Sequence, residues 1–130
     1  MEFSSRQFAD VVVATPVGRI DHTNAETLKQ SLAPLVGKPG VDTNALLLDF
    51  SRVEYISSVG LRVLMMAAKQ ARECRARIAV AALQPVVREI FEISRFNHVL
   101  DVHPSVRVAL EKLSAPALAG YDAAISGGTG

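Results

Sequence analysis

The segment Tyr55-Ile56-Ser57-Ser58-Val59-Gly60-Leu61-Arg62-Val63-Leu64 decides how this sequence is interpreted, because a strand is predicted to give way there to a long apolar helix. The predicted helix begins at Ser57 and Ser58. The first turn of a helix has backbone N–H groups without partners, and a serine oxygen that accepts one of them contributes about 1 kcal/mol. The same turn favours a phosphate, which brings negative charge and acceptor oxygens. The local physics therefore leaves two roles open for these serines, a helix cap and a phosphorylation site.

The helix that follows is apolar almost all round in its first turns. From Val59 to Ala68, Arg62 is the only residue that is neither apolar nor glycine. A helix that packs on one sheet needs only an apolar stripe, so the excess predicts either burial by neighbouring helices or a surface for a partner. Arg62 follows Ser58 by four residues, which places it within reach of a phosphate there. A phosphate at the edge of an apolar contact would weaken docking, and this suggests a phosphorylation switch.

Strand and helix patterns alternate along the rest of the chain. Apolar or β-branched runs predict strands, and helical spacing of apolar residues predicts helices, in the order ββαβαβαβα. The predicted strands cover residues 3–8, 11–15, 45–50, 77–83 and 98–102, and the predicted helices begin near residues 24, 57, 85 and 105. This alternation predicts an α/β fold with a mostly parallel central sheet.

Local signals set further expectations for single elements. Pro16 and Gly18 are expected to end the second strand, and residues 51–56 are expected to form a loop. Thr23 or Asn24 is expected to cap the first helix, with Glu26 at the spacing of a capping box. The core stripe expected for the third helix is Val86, Val87, Ile90 and Phe91. From residue 115 the chain is rich in Ala and Gly, which predicts one domain over residues 1–114 and a flexible tail over residues 115–130.

Composition restricts the classes of function. The 130 residues carry a formal net charge of +1, so nothing favours nucleic acid or an acidic membrane as a partner. The single cysteine, Cys74, excludes an internal disulfide and fits a reducing compartment. No apolar run reaches the roughly 20 residues that span a bilayer. The first residues do not form a secretory signal, and we expect a soluble, cytoplasmic protein.

Residues that could carry chemistry do not form a catalytic pattern. The histidines, His22, His98 and His103, lack the spacing of a zinc-binding helix motif. Ser58 is not in a Gly-x-Ser-x-Gly elbow, because Ile56 occupies the place of the first glycine. There is also no glycine-rich phosphate loop. We therefore predict no enzymatic activity, no cofactor and no metal.

Four stretches together resemble the STAS domain family, and specifically its bacterial anti-sigma factor antagonists. The stretches are Gly18-Arg19-Ile20-Asp21-His22-Thr23-Asn24-Ala25, Leu47-Leu48-Asp49-Phe50-Ser51 with Val53 and Ile56, Ser57-Ser58-Val59-Gly60-Leu61, and Leu83-Gln84-Pro85-Val86-Val87 with Phe91. They occur in the family's order and at similar spacing between Val11 and Leu113. The resemblance implies a STAS fold with helices packed mainly on one face of the sheet.

The resemblance also implies a phosphorylation-controlled binding module. In such antagonists a partner serine kinase, often the anti-sigma factor itself, phosphorylates the residue two places before the motif glycine, which is Ser58 in this sequence. The unphosphorylated antagonist binds the anti-sigma factor and frees the sigma factor, and a serine phosphatase resets the switch. By this comparison Asp21 lies beside the phosphorylated serine. The implied partner-binding residues are Asp21, His22, Thr23, Asn24, Ser57, Val59, Gly60, Leu61 and Arg62.

One departure and several alternatives remain. Many family members have Asp immediately before the phosphorylated residue, where this chain has Ser57, so Ser57 is the second choice for the modified serine. A non-switching STAS interaction domain, as a subunit of a transport or scaffold complex, is the alternative function. A third possibility is a nucleotide-binding STAS domain, but the sequence has no glycine-rich phosphate loop to support it. The apolar second helix also leaves a homodimer open.

Overall fold

The computed structural model of the chain describes residues 1–36 and 45–127. Within these residues the strands are β1 (Glu2–Phe8), β2 (Val11–Ile20), β3 (Ala45–Asp49), β4 (Val53–Ile56), β5 (Arg77–Ala81) and β6 (Asp101–His103). The α-helices are α1 (Ala25–Leu32), α2 (Ser58–Glu73), α3 (Pro85–Ile93), α4 (Val106–Leu113) and α5 (Ala115–Gly127). Two short 3-10 helices cover Ala33–Leu35 and Phe96–His98.

The strands form one sheet that is parallel apart from its first hairpin. The order across the sheet is β1-β2-β3-β5-β6, and β4 pairs with the end of β2. β1 and β2 are antiparallel, whereas the β2–β3, β2–β4, β3–β5 and β5–β6 pairs are parallel. Helices connect the parallel strands, as crossover connections require. The predicted α/β class and the mostly parallel sheet are confirmed.

Helices cover both faces of this sheet, with more of them on one face. One apolar core joins α1, α2 and α3 to the sheet, and its fully buried side chains include Leu28, Leu64 and Phe91. A second, smaller core joins α4 and α5 to the other face, around Leu47 and Leu110. The strands β2 and β3 are therefore buried from both sides, which is why their sequence is almost continuously apolar.

The second strand is longer than predicted, and its end pairs with a strand that was predicted as a loop. β2 continues through Pro16 and Gly18 to Ile20, so the prediction that these two residues end the strand is wrong. At Gly18, which has φ +96°, the register shifts and β2 changes its partner from β3 to β4. Glycine adopts this backbone conformation without a steric penalty. The strand β4 occupies residues 53–56, inside the segment that was predicted as a loop.

The third helix and the last strand also differ from their predictions. Val87 and Phe91 of α3 are buried, but Val86 is 53% exposed and does not belong to the core stripe. Ile90 is only partly buried against the core, so α3 buries a narrower face than its apolar pattern suggests. The strand β6 begins at Asp101 rather than at residue 98, because Phe96–His98 form a 3-10 helix.

The segment predicted to be a flexible tail contains the helix α5. Ser114 caps it, because its Oγ accepts a hydrogen bond from the N–H of Ala117 (3.2 Å) and donates one to Asp10. Ala117 is fully buried, and the ring of Tyr121 packs edge-on against Phe8 with 5.5 Å between centroids. Alanine is the best helix former, and its small side chain lets the helix lie close to its neighbours. The Ala-rich composition was thus misinterpreted, whereas the domain boundary after residue 114 stays a prediction.

No helix in the described part of the chain combines the length and the apolar character that a membrane span requires.

Candidate functional site

The candidate site lies where β2 and β4 end and α2 begins. Ile20 and Ile56, the last residues of the two strands, are parallel partners. The N–H of Ser57 donates to the carbonyl oxygen of Ile20 over 2.8 Å. This bond ties the start of α2 to the start of the turn at Asp21. Two stretches that are more than thirty residues apart in the sequence therefore form one surface.

The turn from Asp21 to Asn24 is held by its own side chains. Oδ1 of Asn24 accepts from the N–H of Asp21 (2.9 Å), and Nδ2 of Asn24 donates to the carbonyl of Arg19 (2.6 Å). Oδ1 of Asp21 accepts from the N–H of Thr23 (3.0 Å) and from the hydroxyl of Thr23 (2.5 Å). Asn24 occupies the cap position of α1 but forms no side-chain cap bond, and the predicted capping box is absent because the Thr23 hydroxyl bonds to Asp21.

The carboxyl group of Asp21 is held in its charged form. The side-chain and backbone hydrogen bonds from Thr23 lower the pKa of Asp21 below its ordinary value, and the nearby charges of His22 and Arg19 act in the same direction. Desolvation opposes these effects only in part. Asp21 therefore presents a carboxylate at neutral pH, next to the first turn of α2.

The two serines have different environments. Ser57 is the N-cap of α2, and its Oγ accepts from the N–H of Gly60 over 3.3 Å. Ser58 is the first helical residue and is exposed. Its hydroxyl forms no hydrogen bond within the part of the chain that the structure describes. The two roles that the sequence left open are therefore divided structurally: Ser57 is occupied as a cap, and Ser58 presents an accessible hydroxyl.

Gly60 allows α2 to approach the ends of the two strands. A Cβ atom at this position would lie 2.7 Å from Cγ2 of Ile20 and 2.7 Å from Cγ1 of Ile56, closer than side chains tolerate. Gly60 is itself buried, and Leu61 is only 9% exposed. Both were predicted as partner-binding residues, but their side of α2 faces the core and offers a partner little surface.

The opposite side of α2 carries an exposed apolar surface beside Ser58. Val59 is 38% exposed, Met65 is 49% exposed and Met66 is 47% exposed. We call these three residues, with the exposed Arg62, the α2 patch. The remaining apolar residues of the run, such as Leu64, are buried. The apolar excess is therefore partly buried and partly exposed, on different sides of the helix, and the use of the exposed part by a partner stays a prediction.

Sequence reasoning missed several members of this surface. Met65 and Met66 were part of the apolar run but were not named as site residues, because helical spacing alone does not show which side faces the sheet. Arg19 was missed as well: its guanidinium lies over the ring of Tyr55, 4.5 Å from the centroid. That contact depends on the parallel pairing of Arg19 with Tyr55 across β2 and β4.

This arrangement suits binding and modification. An exposed hydroxyl stands at a helix N-terminus beside an apolar patch, and the bond between Ser57 and Ile20 joins this helix end to the turn that carries the Asp21 carboxylate. Among the described residues, no group of three or more His, Cys, Asp or Glu side chains is placed to hold a metal ion. Backbone N–H groups of the first helical turn attract negative charge, so a phosphoryl group on Ser58 would lie in a favourable field.

Comparison with known proteins found one matching family model and, among others, the three similar proteins described below. The family model for the STAS domain matches residues 2–109. BtrV of Bordetella bronchiseptica, a candidate anti-sigma factor antagonist, is 36% identical over 109 residues, which cover 84% of this chain and 91% of that protein. The crystal structure of the candidate anti-sigma factor antagonist TM1081 of Thermotoga maritima superposes with a TM-score of 0.77 at 20% identity, covering 85% of this chain and 93% of that one. The phosphorylated form of the Bacillus cell fate determinant SpoIIAA has a TM-score of 0.65 at 15% identity, covering 87% of this chain and 100% of that one. These two structural similarities show a shared fold.

Proposed function

This chain belongs to the STAS domain family, and from that membership we propose that it is an anti-sigma factor antagonist. The unphosphorylated protein binds an anti-sigma factor that is also a serine kinase, and thereby frees a sigma factor. The observation that carries the proposal is the difference between the serines: Ser58 is exposed at the first position of α2, while Ser57 is committed to the cap.

Phosphorylation of Ser58 switches the protein off in this proposal. A phosphate there gains from the partial positive charge of the helix N-terminus, and Arg62 lies one helical turn away. Ser57 is the poorer acceptor, because modification of its oxygen would disturb the bond to the N–H of Gly60. The proposal is supported by SpoIIAA, a protein of the same fold that has a phosphorylated form.

The partner face consists of the α2 patch and the turn from Asp21 to Asn24. Phosphorylation of Ser58 adds a charge of roughly −1.5 to −2 at the edge of Val59. That charge would have to be desolvated in an apolar contact, and it lies on the same surface as the carboxylate of Asp21. A partner that tolerates one negative charge at this face therefore meets two, which weakens binding by repulsion and desolvation.

The proposed partners are proteins that meet in the cytoplasm. The anti-sigma factor with serine kinase activity phosphorylates Ser58, and a serine phosphatase removes the phosphate. The antagonist itself acts as a binding module and not as an enzyme, and neither nucleic acid nor a membrane is a proposed partner.

Intact-mass spectrometry tests the modification. The protein is incubated with ATP and the serine kinase encoded nearest to its gene, and one added phosphate is expected. Ser58→Ala is expected to abolish the mass increase, whereas Ser57→Ala should retain it as the matched control. If the phosphate persists in Ser58→Ala and disappears in Ser57→Ala, the modified residue is Ser57 and the proposed site is wrong. If no cognate kinase adds a phosphate, the non-switching interaction domain becomes the better interpretation.

Isothermal titration tests the consequence for binding. The unphosphorylated protein and Ser58→Ala are expected to bind the anti-sigma partner with similar affinity. The phosphorylated protein and Ser58→Asp are expected to bind about ten-fold or more weakly, since like charges at an interface oppose docking. Equal affinity of the phosphorylated and unphosphorylated forms would refute the charge mechanism. Sedimentation of the free protein, in the same buffer, tests for the homodimer that the apolar second helix leaves open.

A further inference from the structure

The strand β1 forms one edge of the sheet, and its outer side is open. It stands first in the order β1-β2-β3-β5-β6, so β2 is its strand partner in the described part of the chain. The free side of an edge strand presents backbone N–H and C=O groups that can pair with another strand. Glu2 and residues 4–7 are exposed to solvent. A further strand therefore has access to this edge.

The usual protections of an edge strand are weak in β1. The strand has seven residues and contains neither proline nor lysine. It pairs with β2 in one continuous register, with Glu2 opposite Val17 and Phe8 opposite Val11, so no bulge twists the edge away from a neighbour. The strand at the other end of the order, β6, has only three residues and is too short to add a strand well. The open edge is therefore that of β1.

The helix α5 packs on β1 without placing a charge over its edge. Asp122 is the only charged residue of α5, and it pairs with Arg107 of α4 over 3.2 Å. Helical spacing places Pro116, Gly120 and Ala123 on the flank of α5 that lies opposite Asp122. These residues are small, and a Cβ atom at Gly120 would lie 3.9 Å from Phe8 of β1. This flank therefore leaves room for a second chain beside β1.

The charges of β1 suit a second copy of the same strand. When two β1 strands pair antiparallel about a two-fold axis at Ser4, Glu2 of each copy lies opposite Arg6 of the other. Opposite charges directly across an antiparallel pair stabilise it, and like charges destabilise it. An axis at Ser5 would instead place Glu2 opposite Phe8 and leave Arg6 opposite a serine. Charge complementarity therefore selects the axis at Ser4.

Both charged residues are available for this pairing. Neither Glu2 nor Arg6 forms an ion pair among the described residues. The guanidinium of Arg6 lies over the ring of Phe8, 5.0 Å from its centroid. Stacking on a ring uses one face of a guanidinium and leaves the N–H groups at its rim free to donate to a carboxylate.

We propose that β1 pairs with β1 of a second copy of this chain, antiparallel about Ser4, and joins the two sheets into one. Two Glu2–Arg6 ion pairs flank the axis. The axis is perpendicular to the sheet, so both α5 helices lie on one face of the dimer. The surface around Ser58 belongs to α2, which packs on the other face. The dimer therefore presents two such surfaces, and its formation requires neither a partner protein nor phosphorylation.

Sedimentation velocity of the full chain tests the association. A reversible equilibrium is expected, in which the weight-average mass rises with concentration towards twice that of the monomer. Hydrogen exchange at residues 2–7 is expected to slow over the same concentrations, because the free N–H groups of β1 become bonded in the dimer. A mass that stays at the monomer value up to about 1 mM would overturn the proposal.

Charge exchange tests the register. Glu2→Arg and Arg6→Glu each place like charges opposite one another in both pairs, and each is expected to weaken dimerisation about ten-fold or more. The two variants mixed in equal amounts should form a heterodimer as stable as the unmodified dimer, because every arginine again faces a glutamate. The double variant should dimerise alone for the same reason. If neither the mixture nor the double variant restores the dimer, the proposed register is wrong.

Two further variants test which surface is used. Glu89→Arg makes the same change as Glu2→Arg at an exposed position of α3, and it should leave the dimer intact. Met66→Glu alters the α2 patch and should also leave it intact. A dimer that is lost in Met66→Glu and retained in both β1 variants would show that the copies meet through α2, which contradicts the proposal.

Circular dichroism and thermal melting show whether each variant is folded. Glu2 and Arg6 are exposed, so their variants are expected to fold. If one single variant does not fold, the other single variant and the double variant decide by the loss and the recovery of the dimer.

Discussion

At the scale of single residues, Ser57 and Ser58 show how position at a helix start gives two identical side chains different environments. Ser57 has an extended backbone (φ −87°, ψ 171°), which directs its oxygen towards the N–H of Gly60. Ser58 is already the first residue of the helix, and it is exposed. A cap needs the first of these conformations, whereas an accessible phosphoacceptor needs the second.

This difference predicts unequal costs for the two alanine variants. Ser57→Ala removes the cap and is expected to lower the free energy of unfolding by about 1 kcal/mol. Ser58→Ala is expected to change it by less than about 0.5 kcal/mol, as for other exposed positions. Urea denaturation of the unphosphorylated protein measures both. Equal losses would mean that Ser58 shares the cap and that the assignment of roles is wrong.

At the scale of elements, the contact between α2 and the ends of β2 and β4 depends on the absence of a side chain at Gly60. Ile20 and Ile56 occupy the space that a Cβ atom would need. Gly60 also allows the first turn of α2 to lie beside the turn that begins at Asp21. The strand pair thus positions the helix, and the helix positions Ser58.

Gly60→Ala is expected to lower the free energy of unfolding by about 1–3 kcal/mol, the usual cost of overpacking a core. The matched control is Gly120→Ala in α5, where the nearest atoms to the new Cβ belong to Phe8 at 3.9 Å. Helix propensity favours alanine over glycine by up to about 1 kcal/mol, so this control should be neutral or stabilising. Denaturation curves distinguish the two, and a stabilised Gly60→Ala would show that α2 does not lie as closely on the strands as described.

At the scale of the whole molecule, helices cover both faces of the sheet. The face under α1 to α3 supports the surface around Ser58, and α4 and α5 cover the other face with a second, smaller core. The second face exists in this form because α5 packs on β1 and α4. Ala117 of α5 belongs to the apolar core on this face, and its side chain is fully buried.

Because α5 packs on the sheet through one side, a glutamate introduced at Ala117 is expected to disturb this packing, whereas a glutamate at Ala119 is not. Ala117→Glu would bury an unpaired carboxylate, so α5 is expected to detach and its amides to lose protection from hydrogen exchange. Ala119→Glu places the same charge at an exposed position and should retain the protection. Hydrogen exchange followed by mass spectrometry measures both variants. Protection that is equally low in the unmodified protein would favour the flexible tail that composition suggested.

The sequence predicted the features that depend on neighbouring residues. Helical spacing located α2, and the apolar run at residues 45–49 located β3. Helices were predicted to begin near residues 57 and 105, and Ser57 and Ser105 each accept the hydrogen bond of a cap. The nearness of Asp21 to the serines followed only from the resemblance to STAS domains. Nothing in the spacing of these residues requires it.

By itself, the sequence determined the alternation of strands and helices and the capped start of α2, because periodicity and caps are local properties of the chain. Its resemblance to STAS domains indicated the family. Only the tertiary structure decided that residues 53–56 form a strand, since a segment of four residues gains its hydrogen bonds from β2, over thirty residues away in the chain. Packing likewise decided that Gly60 and Leu61 face the core while Val59 and Met66 face solvent. It also converted the Ala-rich end into α5, because small side chains form a stable element once they find a surface that fits them.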